Sequence, residues 1–160
     1  MYVVFSNHLD VGFTDNVNGS CAGAVINRYF TVHFPNAVKT SDWFRANATT
    51  LGGRTYRWMT QSWLVALYRH CNSTVVNRFG GPTSDLICPT PQELAEFDRV
   101  VRLGDIGWHA FPFNAEPELY GADLFAAALN LTFAEDDYYG PVTTLPHPPP
   151  TPYSFSIGLN

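Results

Sequence analysis

The chain has 160 residues, of which 46% are hydrophobic and 15% aromatic, enough for a sizeable core and far from the composition of a disordered segment. Nine Lys+Arg against fourteen Asp+Glu leave a net charge of -5, which argues against a protein built to grip nucleic-acid phosphates. No apolar run approaches the ~18–20 residues of a transmembrane helix, so neither nucleic acid nor membrane is an expected partner.

Tyr2 to Phe5 is a continuous apolar run suited to a strand buried on both faces, and it leads into Ser6-Asn7-His8-Leu9-Asp10 and Gly12. From about Gly19 to Asn47 the pattern is helical, with Val25, Arg28-Tyr29, Val32 and Asn36 recurring at threes and fours. Pro35 is expected to divide that helix or kink it near Phe34. Gly52-Gly53 is a breaker, and Thr55 to Thr60 is a predicted second strand. Trp63 to Cys71 is a short predicted helix, and the stretch from Asn72 to Pro89, with Gly80-Gly81-Pro82, is a loop.

Thr90-Pro91-Gln92-Glu93 predicts a helix start, with Thr90 as cap, Pro91 in the first turn and Glu93 completing a capping box. Leu94, Phe97, Val100 and Val101 form its apolar stripe, and Gly104 suits the position just past its end. Ile106 to Phe111 is a third strand. Glu116 to Leu131 is a further helix, with Tyr120, Leu124, Ala127, Ala128 and Leu131 on one face. Asp136-Asp137 and the prolines at 141, 146, 148–150 and 152 mark a change of character. The expected organisation is therefore an α/β region over 1–134 and a proline-rich extended tail over 135–160. Strands alternating with helices imply parallel pairing with helical crossovers.

Cys21, Cys71 and Cys88 form no CxxC pair, which argues against a zinc ribbon or thioredoxin-like motif. Their odd number permits at most one internal disulfide. Cys71 with Cys88 would close the shortest loop, but buried or incidental thiols are the expectation. Four N-x-S/T sequons begin at Asn18, Asn47, Asn72 and Asn130 and favour a secretory or lumenal history, although residues from Met1 onward lack the pattern of a signal peptide.

In parallel α/β proteins chemistry collects at the carboxyl ends of strands. His8 and Asp10 fall there, and residues two apart in an extended chain point to one side, so imidazole and carboxylate can converge on a metal ion or a sugar hydroxyl. A local hydrogen-bonded pair is the other reading of that spacing. Asn114 is placed to cap the helix that follows or to contact substrate. His109, Trp58 and Trp63 are expected in the core. Trp108 is either core or a platform for a sugar ring. Asp15 either binds near the site or, with Asn16, caps the following helix, and Glu116 and Glu118 favour a helix N-terminus through its dipole. No G-x-S-x-G or phosphate-cradling glycine loop is present.

The stretch Phe5-Ser6-Asn7-His8-Leu9-Asp10-Val11-Gly12-Phe13-Thr14 resembles the opening strand of the glycoside hydrolase family 38 α-mannosidases, in particular a less characterised mannosidase-like branch. Further similar segments follow in order: Asn27 to Ala37, Tyr56 to Trp63, Val100 to Trp108, and Trp108-His109-Ala110-Phe111-Pro112-Phe113-Asn114. Together they cover roughly residues 2–132. The resemblance implies a seven-stranded β/α barrel of the glycoside hydrolase and deacetylase type, of which about three β/α units are present here. It also implies a zinc ion for which His8 and Asp10 supply two of the ligands, a glycan or mannoside substrate, and a retaining mechanism using two carboxyl groups. The remaining ligand histidine and the general acid are expected farther along than this chain extends.

The chain departs from the family where it expects an aspartate nucleophile. Asn114 stands nearest that position, with Glu116 as the other candidate. The expectation is an N-terminal part of such a barrel that is inactive alone, its open sheet edges needing the missing barrel half or another chain. The alternatives are a glycan-binding pseudo-enzyme, using His8, Asp10, Asn114 and Trp108, and a metal-dependent carbohydrate deacetylase.

Overall fold

The computed structural model describes residues 25–72, 86–113 and 116–140. The strand predicted at Tyr2 to Phe5 and the residues beyond Gly140, predicted as an extended tail, lie outside these residues. The long helical stretch begins as α1 (Val25–Arg28), widens into a π-turn (Tyr29–His33) and continues as α2 (Phe34–Ala46). The cause is Pro35, which has no N–H to give and whose ring crowds the preceding turn. The Phe34 N–H accordingly bonds to the Tyr29 carbonyl in π register. The predicted kink near Phe34 is thus a widened turn in an unbroken helical path. The inserted residue also moves the inward face to Ile26, Phe30, Phe34, Ala37 and Ser41, leaving Val32 and Asn36 of the predicted helical series exposed.

Strand β1 (Trp58–Thr60) leads directly into α3 (Ser62–His70). Helix α4 (Pro91–Arg102) opens on the predicted capping box: the Glu93 N–H donates to Thr90 Oγ1 at 3.2 Å and the Thr90 N–H donates to Glu93 Oε2 at 2.8 Å. The Thr90 backbone and hydroxyl donors hold the Glu93 carboxyl below its usual range. The cap's ionic contribution is therefore present above the unfolded-state value and is lost as pH falls through the lowered folded value. Past the helix end Gly104 adopts φ +76°, a left-handed conformation that a side chain would strain, and its N–H closes onto the Val101 carbonyl at 2.8 Å.

Strand β2 (Ile106–Trp108) pairs parallel with β1, matching Trp58 to Ile106, Met59 to Gly107 and Thr60 to Trp108. Both strands are shorter than predicted. β1 begins only at Trp58, opposite Ile106, and beyond β2 the chain bends through Phe111–Phe113, where Phe111 stacks on Tyr120 and Phe125 with centroids 5.9 and 5.3 Å away.

A 3₁₀ turn (Pro117–Leu119) precedes α5 (Ala122–Tyr139). This helix corrects two expectations. It continues through Glu135, Asp136 and Asp137 to Tyr139, past the expected boundary at 134, and Gly140 follows at φ +77°. Its buried face is Ala128, Thr132, Glu135 and Tyr139, whereas the predicted Leu124 and Leu131 are exposed. The reason is polar pairing. Arg69 Nη1 donates to Glu135 Oε2 at 2.6 Å, Trp108 Nε1 to Asp136 Oδ1 at 2.9 Å, and Tyr139 OH to Asp98 Oδ1 at 2.6 Å. Burial and the adjacent Asp98 carboxylate push the Tyr139 phenol up.

The core centres on Phe34, which is fully buried and lies 4.9 Å from the Tyr68 ring, 4.7 Å from Phe97 and 5.9 Å from Trp58. Aromatic pairs at these spacings add to the burial of apolar area. Leu64, Val65, Val100, Val101 and Ile106 complete it from α3, α4 and β2. Cys71, at the end of α3, is bonded to Cys88, which replaces the expected free thiols. The bridge joins α3 to the segment before α4, and closing a loop of that length contributes about 3 kcal/mol by restricting the unfolded chain. No helix among the described residues is long and apolar enough to cross a membrane.

Candidate functional site

Because β1 and β2 are parallel, both leave the sheet at the same end, β1 into Gln61-Ser62-Trp63 and β2 into His109 and the Phe111–Phe113 bend. The Trp63 N–H donates to the Pro112 carbonyl at 3.4 Å and ties the two exits together. Ser62 Oγ lies 2.7 Å from Thr132 Oγ1, so the buried first residue of α3 is fixed to α5.

Gln61 sits in extended conformation between β1 and α3 and is only 3% exposed. Its Oε1 accepts from Trp63 Nε1 at 2.6 Å. Its Nε2 is buried with no hydrogen-bond partner, the one such side-chain atom among the described residues. An unpaired buried amide costs about 1–3 kcal/mol, so this one favours an acceptor such as a hydroxyl or carboxylate oxygen. The sequence did not single out Gln61. The available signal was an amide at the end of an aromatic and β-branched strand, directly ahead of a helix. Gln61→Met is expected to cost no more than about 1 kcal/mol in urea unfolding of the ligand-free chain, because it removes the unpaired donor along with one bond. A cost above about 2 kcal/mol would mean that Nε2 is satisfied in solution.

Trp108 is half-buried, with its indole N–H committed to Asp136 and its ring 5.5 Å from Tyr139. These contacts fix the plane of the ring that the sequence offered as a sugar platform. His109 is half-buried at the strand exit and engaged with neighbours. Glu116 is exposed, and its backbone carbonyl accepts from the Leu119 N–H at 2.9 Å to start the 3₁₀ turn. His8, Asp10 and Asn114 lie outside the described residues. Among the described residues no three His, Cys, Asp or Glu side chains come together as a metal site.

The opposite end of the sheet holds the charged network. Asp105, 3% exposed ahead of β2, accepts from Ser41 Oγ at 2.5 Å and from Arg45 Nε and Nη2 at 2.6 and 2.8 Å. Arg57 Nη1 donates to the Gly104 carbonyl, and the Trp58 N–H to the Asp105 carbonyl at 2.9 Å. These bonds to the backbone and to Asp105 make this end a clamp that holds strand register. The exits at the other end are where an unsatisfied donor remains.

Comparison of the chain with protein-family models, characterised proteins and solved structures gives no match.

Proposed function

We propose that the protein is an α-mannosidase-like β/α barrel chain of the glycoside hydrolase family 38 type, which binds α-mannosides or related glycans with a zinc ion held in part by His8 and Asp10. The observation that carries this reading is the ordered series of similar segments from Phe5 to Asn114. Parallel β1 and β2, each preceded and followed by helix, are consistent with adjacent units of such a barrel. Imidazole and carboxylate are ligand types that zinc accepts, so this pair suits the metal as part of a larger donor set. When bound, the ion supplies orientation and polarisation of sugar hydroxyls.

The chain's own residues then decide between binding and turnover. Retaining hydrolysis needs a carboxylate nucleophile and a carboxylic acid about 5–5.5 Å apart. Between Trp108 and Glu116 the chain offers no aspartate, and Asn114 can hydrogen-bond a hydroxyl but cannot form a glycosyl ester. The reading is therefore glycan binding without turnover by this chain alone.

Metal analysis and calorimetry test it. Close to one zinc per chain is expected, lost in His8→Ala and Asp10→Ala, with metal-dependent binding of methyl α-mannoside and no nitrophenol release from the aryl α-mannoside. A chain that binds neither zinc nor mannoside would overturn the assignment. Nitrophenol release abolished by Glu116→Gln would make Glu116 a working carboxylate. Acetate release from acetylated glycans would move the activity to deacetylation.

A further inference from the structure

The last turn of α2 exposes a tryptophan that the core does not use. Trp43 is 55% exposed, and one helical turn later Asn47 Nδ2 donates to the Trp43 carbonyl at 2.8 Å. The Trp43 ring packs edge-on against Phe44 with centroids 5.2 Å apart, and the bond to the Trp43 carbonyl holds the Asn47 amide nitrogen beside the backbone of the same residue. Asn47 opens the sequon Asn47-Ala48-Thr49, set in a turn where Thr49 is exposed and the Gly53 N–H closes onto the Ala48 carbonyl at 2.9 Å.

The sequon at Asn130 provides the contrast. It lies inside α5, and its Thr132 hydroxyl is buried against Ser62. An independent observation concerns compartment. The Cys71–Cys88 bridge is a bond that persists in oxidising surroundings, and the secretory lumen in which N-x-S/T asparagines are glycosylated is one of them.

We propose that Asn47 carries an N-linked glycan whose first N-acetylglucosamine covers the Trp43 indole. In the transfer, a bond forms between Asn47 Nδ2 and the sugar C1 as the C1–O bond of a polyprenyl-pyrophosphate-linked oligosaccharide breaks. The pyrophosphate leaves with the electron pair, and one amide proton is released. The second amide hydrogen stays on Nδ2 and keeps the bond to the Trp43 carbonyl, so the end of α2 tolerates the modification. The apolar C–H face of the sugar then lies where the exposed indole would otherwise meet water.

The full chain, secreted from a eukaryotic host behind a cleavable leader, tests both halves. Peptide-N-glycosidase digestion in heavy-oxygen water should convert Asn47 to labelled Asp, read by peptide mass spectrometry, and leave Asn130 unlabelled. The glycosylated chain should melt about 2–4 °C above Thr49→Ala, which loses the sequon but keeps Asn47 and its bond to the Trp43 carbonyl, and that difference should vanish in a Trp43→Ala background. Unlabelled Asn47 in the secreted, disulfide-bonded chain overturns the site. A melting difference that persists without Trp43 overturns the covering of the indole.

Discussion

Glu135→Ala is expected to lower the unfolding free energy by about 3–5 kcal/mol, measured as a fall in the urea midpoint at unchanged slope. The Glu135 side chain is 3% exposed and the paired Arg69 side chain 12%, so removing the carboxylate strands a guanidinium with little access to water. The Arg69 guanidinium carbon also lies 3.3 Å from the Tyr138 ring centroid, a contact that offsets only part of that loss. The double variant Arg69→Met/Glu135→Leu separates pairing from packing. Replacing both partners with apolar side chains of similar volume is expected to fall within about 1 kcal/mol of the starting protein. A small effect of the single variant would mean that Arg69 swings out to solvent and that α5 is not anchored through this pair.

Asp105→Ala is the second large effect, expected at about 2–4 kcal/mol. Two components differ in kind. Ser41 is fully buried, and without Asp105 its hydroxyl loses its acceptor, at about 1–3 kcal/mol. Arg45 is 44% exposed, so its freed guanidinium is rehydrated and contributes less than its two short bonds suggest. Asp105→Asn keeps one acceptor oxygen and should cost about half as much, whereas Arg45→Ala should cost about 1 kcal/mol. If Arg45→Ala matched Asp105→Ala, the ion pair and not the buried hydroxyl would hold the start of β2.

These two sites also mark where the sequence was readable. Local signals with a fixed stereochemistry transferred directly: the Thr90–Glu93 capping box, the left-handed Gly104 and the disturbance before Pro35 all lie where the residues place them. The inward stripe of α4 did too, because Phe97, Val100 and Val101 are buried by apolar contact alone. Helix α5 buries only Ala128 of its predicted face, for the opposite reason. Its buried Thr132 and Glu135 are held by Ser62 and Arg69, partners nearly seventy residues away that no local period reveals.

The Cys71–Cys88 pairing is likewise a matter of distance in space, since the spacing of cysteines does not choose between bridge and thiol. For the site, the sequence names His8, Asp10, Asn114, Glu116 and Trp108 through chemistry and resemblance. The structure adds Gln61, whose unpaired amide became visible only once burial was known. Strand lengths were overestimated because aromatic and β-branched composition runs past the paired residues, before Trp58 in β1 and after Trp108 in β2.

The bridge between α3 and the approach to α4 has one more consequence, for the integrity of the chain. Any single peptide-bond cleavage between Cys71 and Cys88 leaves the two pieces covalently joined. The halves would stay together on a denaturing gel until a reductant separated them. A proteolytic cut in this segment therefore does not by itself separate the pieces, and a nicked molecule and an intact one differ in mass only by one water.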